Sequence, residues 1–142
     1  MRRDRRSGVS GTSTPALPRR ALAELLGSAF LAALVLGSGI AAQELSPGNV
    51  GLQLFENAAA TAAGLFTIIL MFGPVSGGHF NPVVSVVDAS YDGISWRDAL
   101  TYVPAQVAGC TLGAIAANAC SPGRPSASQR TIAPRPPTSL AR

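Results

Sequence analysis

The residues with chemistry to offer sit in one segment, Phe72-Gly-Pro-Val-Ser-Gly-Gly-His-Phe-Asn-Pro-Val-Val-Ser85, which holds the chain's single histidine, His79. Asn81 is a good helix N-cap and Pro82 suits the first helical position, so a helix starts here. Gly73-Pro74 reads as the end of the helix before it, and Gly77 and Gly78 permit backbone shapes that other residues resist. Val83 to Val87 then allows a helix of at most two turns, far too short to cross a bilayer. An irregular strand followed by an apolar half-helix describes a re-entrant loop, tolerated at membrane depth only inside protein or beside a wet cavity. Its unpaired carbonyls, and the positive N-terminal end of the half-helix, face that cavity. Covalent chemistry finds no support. No Ser/His/Asp set, histidine cluster or phosphate loop stands out, and Cys110 and Cys120 lie ten residues apart without a Cys-x-x-Cys. The cysteines read as small buried hydrophobes, and neither a metal site nor a cofactor is expected.

The elements that must position this loop are membrane spans. Of 142 residues 47% are hydrophobic and only 13% charged, against about a quarter charged in soluble domains. That excludes a disordered chain and argues against an ordinary soluble enzyme. All eleven basic residues are Arg, giving a net charge of +4. Ten of them lie toward the two ends, away from the apolar centre, and Arg97 alone lies between spans, so nucleic acid is not the expected partner and a lipid bilayer is. Charge-free runs cover 25–43, 57–87 and 99–120, the first preceded by a lone Glu24. The spans are therefore set at about 21–43, 53–73 and 96–120, with the re-entrant loop and half-helix at 74–89. Residues 1–20 read as a flexible Arg-rich arm and 121–142 as a disordered Pro/Arg-rich tail. A secretory signal is the weaker reading of the first run, because such apolar regions cover only about 7–15 residues.

Ser46-Pro47-Gly48-Asn49 is a turn, and Ser95 is the N-cap of the third span with Asp98 near N3. Trp96 and Tyr102 are expected near the lipid headgroups, and Pro104 is expected to kink its helix. Gly109, Gly113 and Ala117 form a small-residue stripe suited to close helix packing. Six arginines lie in the arm and Arg97 lies between the second and third spans. The positive-inside rule therefore puts the N-terminus and residues 74–98 in the cytoplasm; the expected location is the cell's inner (plasma) membrane. The tail, with Arg124, Arg130, Arg135 and Arg142 on the outer side, contradicts the rule.

The segment resembles the aquaporin and glycerol-facilitator family, the major intrinsic proteins. Asn81-Pro82-Val83 is similar to the family's Asn-Pro-Ala box, and Ser76-Gly77-Gly78-His79-Phe80 to the approach to it. Ala23-Glu24-Leu25-Leu26-Gly27 resembles the first helix and Ala105-Gln106 the third, so the resemblance covers about residues 21–120. It implies an all-α membrane protein with three transmembrane helices and one re-entrant half-helix, one inverted repeat of the aquaporin fold. In that family two repeats bring two half-helices together at the pore centre. The resemblance gives Asn81 the role of amide donor to a passing solute, and makes the carbonyls of Gly77, Gly78 and His79 a polar track. It gives Glu24 the role of holding the loop through its N–H groups; the plainer reading is a carboxylate at the membrane surface. For His79 the plainer reading, a packed imidazole whose carbonyl does the work, outweighs a pH gate.

Two departures matter. Val83 replaces the usual Ala. Thr61, twenty residues before Asn81, occupies a filter position that is usually aromatic, which favours small neutral polyols or metalloid acids beside water. The resemblance further implies a homo-oligomer, a tetramer in the family. From Cys120 to Arg142 the pattern changes, with five prolines and four arginines and no second box. The expectation is a truncated or frameshifted first half, unable to conduct alone. The alternative is an assembly fragment pairing with a full-length or complementary channel half.

Overall fold

The computed structural model describes residues 15–121, and every element in that range is helical. Helix α1 covers Leu17–Leu45, α2 Val50–Ser76, α3 Pro82–Ser90 and α4 Trp96–Ala119. The expected arm 1–20 and tail 121–142 lie mostly outside the described residues. Helices α1, α2 and α4, of 29, 27 and 24 residues, are long and apolar enough to cross a membrane. Helix α3, with nine residues, rises only about 14 Å.

Several boundaries differ from the sequence reading. Helix α1 already begins at Leu17, with Pro18 in its first turn, where a proline costs no hydrogen bond. Arg20, assigned above to a flexible arm, is helical and bonded across to α4. Helix α2 does not stop at Gly73-Pro74 but runs through Pro74 to Ser76. The turn after the proline is held because Gly77 N–H donates to the Gly73 carbonyl at 2.9 Å. The Ser76 carbonyl also accepts from the Tyr102 hydroxyl at 2.8 Å. Helix α3 continues past Val87 to Ser90, its end closed by Tyr91 N–H on the Val87 and Asp88 carbonyls.

The caps follow local chemistry. Asn49 Oδ1 accepts from Leu52 N–H at 3.1 Å, and Ser95 Oγ from Asp98 N–H at 3.1 Å. Helix α4 is unbroken through Pro104. Helix α1 packs against α2 on one side and α4 on the other, and α3 packs on α4. A Cβ on Gly109 would strike the Leu25 carbonyl and one on Gly113 the Ala29 carbonyl, so glycine lets the α1 and α4 backbones touch. Cys110 and Cys120 are both free, and Cys120 is exposed rather than buried.

Burial is inverted relative to a water-soluble bundle. Glu24, Ser28, Ser85 and Gln106 are fully buried, while Phe55, Phe66, Leu70 and Leu100 are each more than 60% exposed. Apolar surface on that scale is stable against lipid and not against water.

Candidate functional site

The site is the stretch Ser76–Asn81 and the helix faces that grip it. Gly77 and Gly78 take φ of +98° and +74°, and Phe80, a residue with a Cβ, takes +50°. Three left-handed residues in four turn the backbone sharply, and at Phe80 the turn is strained and needs outside support. Glu24 supplies it. This buried α1 carboxylate accepts at Oε1 from the Ser76 hydroxyl (2.6 Å) and His79 N–H (3.1 Å). At Oε2 it accepts from Phe80 N–H (2.6 Å) and Gln106 Nε2 (2.8 Å). Four donors compensate the desolvation of one carboxylate, and each is a charge-assisted bond when Glu24 is ionised. The Phe80 ring fills the space above Gly27, where any Cβ would collide with it, and meets Phe72 edge-on at 6.2 Å.

The imidazole of His79 turns inward. Nδ1 lies 3.0 Å from Ser85 Oγ, Nε2 lies 3.5 Å from Asp88 Oδ2, and the ring stands edge-on to Tyr102. Gln106 Nε2 also donates to Ser85 Oγ at 2.8 Å, tying α3 to α4. Tyr102, expected near the headgroups, is fully buried. The reason is its hydroxyl, which donates to the Ser76 carbonyl and accepts from Arg20 Nε, each at 2.8 Å. Arg20 Nη2 continues to Asp98 Oδ2 at 3.1 Å. Asp98 thus pairs with α1 rather than serving only its own helix end.

Asn81 has extended backbone (φ −148°, ψ 126°), and its Oδ1 accepts from Val83 N–H at 2.9 Å. That bond directs Nδ2 away from the helix; Nδ2 has no partner among the described residues, and Asn81 is exposed. Pro82 opens α3, and Val83 is 67% exposed beside Asn81. Glu24, Gly77, Gly78, His79, Asn81 and Pro82 are thus brought together. Thr61 is not: it lies fifteen residues before Ser76, about 22 Å along α2, and donates to Asn57. Sequence reasoning missed Ser76, Ser85, Tyr102, Arg20 and Asp88 as members of the cluster. The available signal was spacing: Tyr102 and Gln106, and Asn81 and Ser85, are four apart and share helix faces. Among the described residues no group of His, Cys, Asp and Glu is placed to hold a metal.

Three apolar spans, a short fourth helix and a buried polar cluster define a polytopic α-helical membrane protein. The family model described as Major intrinsic protein matches residues 12–141, and the chain belongs to that family. The match extends beyond residues 21–120 at both ends and into the Pro/Arg-rich segment. The chain is 46% identical over 97 residues to aquaglyceroporin AqpS of Rhizobium meliloti (strain 1021), covering 68% of this chain and 41% of that protein. It is 43% identical over 95 residues to Aquaporin-10 of Milnesium tardigradum, covering 66% of this chain and 22% of the relative. It is 35% identical over 95 residues to the probable aquaporin NIP7-1 of Arabidopsis thaliana, covering 66% and 33%. The chain therefore spans well under half the length of these relatives. No solved structure matches it.

Proposed function

We propose that this chain supplies one repeat of a membrane channel passing water and small neutral solutes, with Asn81 as the solute-contacting amide. The observation that carries the reading is the free Nδ2 of Asn81 at the tip of a loop pinned by Glu24. An oriented amide donor hydrogen-bonds a neutral solute oxygen, and the positive N-terminal end of α3 opposes cations, as in aquaporin-type pores generally. The carbonyls of Gly77, Gly78 and His79 provide acceptors along the same path. Thr61, small and polar, makes room for polyols or metalloid acids; the name of the Rhizobium relative, aquaglyceroporin, supports that class.

The pore is completed by a second, inverted repeat. Val83, Val84, Val86 and Val87 are all exposed on α3, and this face is where the opposing half-helix packs. The same valine face favours a second reading, an assembly unit whose role is to pair with a complementary channel half. The protein sits in the cell's inner membrane with its N-terminus cytoplasmic, and its complete channels form a homo-oligomer. The test is osmotic flux through liposomes holding the chain with and without a complementary repeat. Flux of water and glycerol only in the pair supports the channel, and pairing without flux supports the assembly reading.

A further inference from the structure

Away from the loop, α1 and α2 share a polar cluster that the proposed passage leaves unused. The amide oxygen of Asn57 is taken by two hydroxyls: Ser38 Oγ of α1 donates at 3.0 Å, and Thr61 Oγ1, one turn further along α2, at 3.2 Å. Two donors on one oxygen hold the carboxamide in a single orientation. Its Nδ2 has no acceptor among the described residues and faces Gly39, where a Cβ would lie 3.2 Å away. Glycine there keeps the free edge of the amide clear. Gly39 and Asn57, with Gln43 and Asn118, line an open groove of about 250 Å³. On α1 Glu24, Ser28, Val35 and Gly39 follow at helical spacing, so the groove continues the face that grips the loop. An amide N–H group left facing hydrocarbon is costly, and the groove sets three carboxamides beside Val35, Leu36 and Ile40, a lining suited to a small molecule with hydroxyl and methylene faces.

We infer that Asn57 is a second solute-contacting residue, donating from Nδ2 to an oxygen of a small neutral hydroxylated solute. Ser38 and Thr61 are its positioning residues. The inference rests on the passage reading above and deepens it: Thr61 commits its proton to Asn57, so the free polar edge at this level of α2 belongs to Asn57.

The test is NMR of the full 142-residue chain, its asparagine side chains ¹⁵N-labelled, paired with an unlabelled complementary repeat in lipid nanodiscs and titrated with glycerol. The four asparagines, Asn49, Asn57, Asn81 and Asn118, give separate reporters. A saturable shift at Asn57 with Asn49 unmoved is expected. Ser38→Ala or Thr61→Val should weaken it roughly threefold to tenfold, the effect of one neutral hydrogen bond. A shift at Asn81 with none at Asn57 overturns the inference and spares the passage reading; shifts at neither overturn both. An Asn57 shift unchanged in both variants overturns the positioning roles of Ser38 and Thr61.

Discussion

Glu24 Oε2 accepts the Phe80 N–H at 2.6 Å, joining α1 to the residue immediately before Asn81. Phe80 holds a left-handed φ of +50° with a side chain attached, a conformation that persists only where the surroundings over-determine it. The bond to Glu24 on one side and the Phe80 ring over Gly27 on the other provide that surplus. The position of Asn81 is therefore set from α1, a helix 56 residues earlier in the chain at the bonded position.

Glu24→Ala should be the most damaging single change in the cluster. It strands the N–H groups of His79 and Phe80 and takes one bond each from the Ser76 hydroxyl and the Gln106 amide, which keep the Phe72 carbonyl and Ser85 Oγ as partners. Each buried orphan costs about 1–3 kcal/mol, so the summed loss is several kcal/mol. Hydrogen exchange in nanodiscs should show the 77–81 amides losing protection while mid-α2 keeps it. Unchanged protection in the loop would remove Glu24 from its supporting role.

Gly27→Ala places a methyl group in the volume of the Phe80 ring. The expected destabilisation is about 1–3 kcal/mol, typical of overpacking. Phe80→Leu should relieve part of it, so a double-mutant cycle of thermal unfolding should show non-additive coupling between the two positions. Strict additivity would mean that the two side chains do not share the space.

Tyr102→Phe and Asp98→Asn separate the inner and outer parts of the polar chain. Tyr102→Phe removes the donor to the buried Ser76 carbonyl and the acceptor of Arg20, for an expected loss of about 1–3 kcal/mol. The Arg20–Asp98 pair has side chains 14% and 18% exposed. Breaking it is expected to cost less than Tyr102→Phe, because the Arg20 guanidinium keeps both its bond to the Tyr102 hydroxyl and its place over the ring. Comparative unfolding of the two variants in detergent checks the order, and an equal or larger loss for Asp98→Asn would reverse it.

The turn between α1 and α2 and the end of α3 should face opposite sides of the membrane. With Cys110 and Cys120 replaced by Ala, Pro47→Cys should react with an impermeant thiol reagent from outside and Ser90→Cys only from the cytoplasmic side. Reaction of both from one side would overturn the orientation taken from the arginines.

Much of this architecture is legible in the sequence. The three spans follow from charge-free runs, and the Asn81-Pro82 start of α3 and the Ser95 cap follow from local capping chemistry that needs no tertiary partner. The failures share a cause. Tyr102 reads as a headgroup anchor and Arg20 as part of a loose arm because each is polar beside an apolar run. Both are held inside by a partner 82 residues away, which no local pattern encodes. Pro74 reads as a helix stop because the bonds that keep the last turn of α2, from Tyr102 and to Glu24, come from other helices. Ser76 and Ser85 look like ordinary small residues until the bundle closes around them.

Glycerol-driven osmotic shrinkage of liposomes tests the central claim most directly. The 142-residue chain alone should match empty liposomes, because one half-helix leaves the Asn81 amide without an opposing wall. With a complementary repeat the rate should rise, and Asn81→Asp in the same pair should return it to the empty level. Asp keeps the N-cap of α3, so the fold is retained while the amide donor is replaced by an acceptor charge. Shrinkage above the empty level from the chain alone, or an assembled rate untouched by Asn81→Asp, would contradict the account.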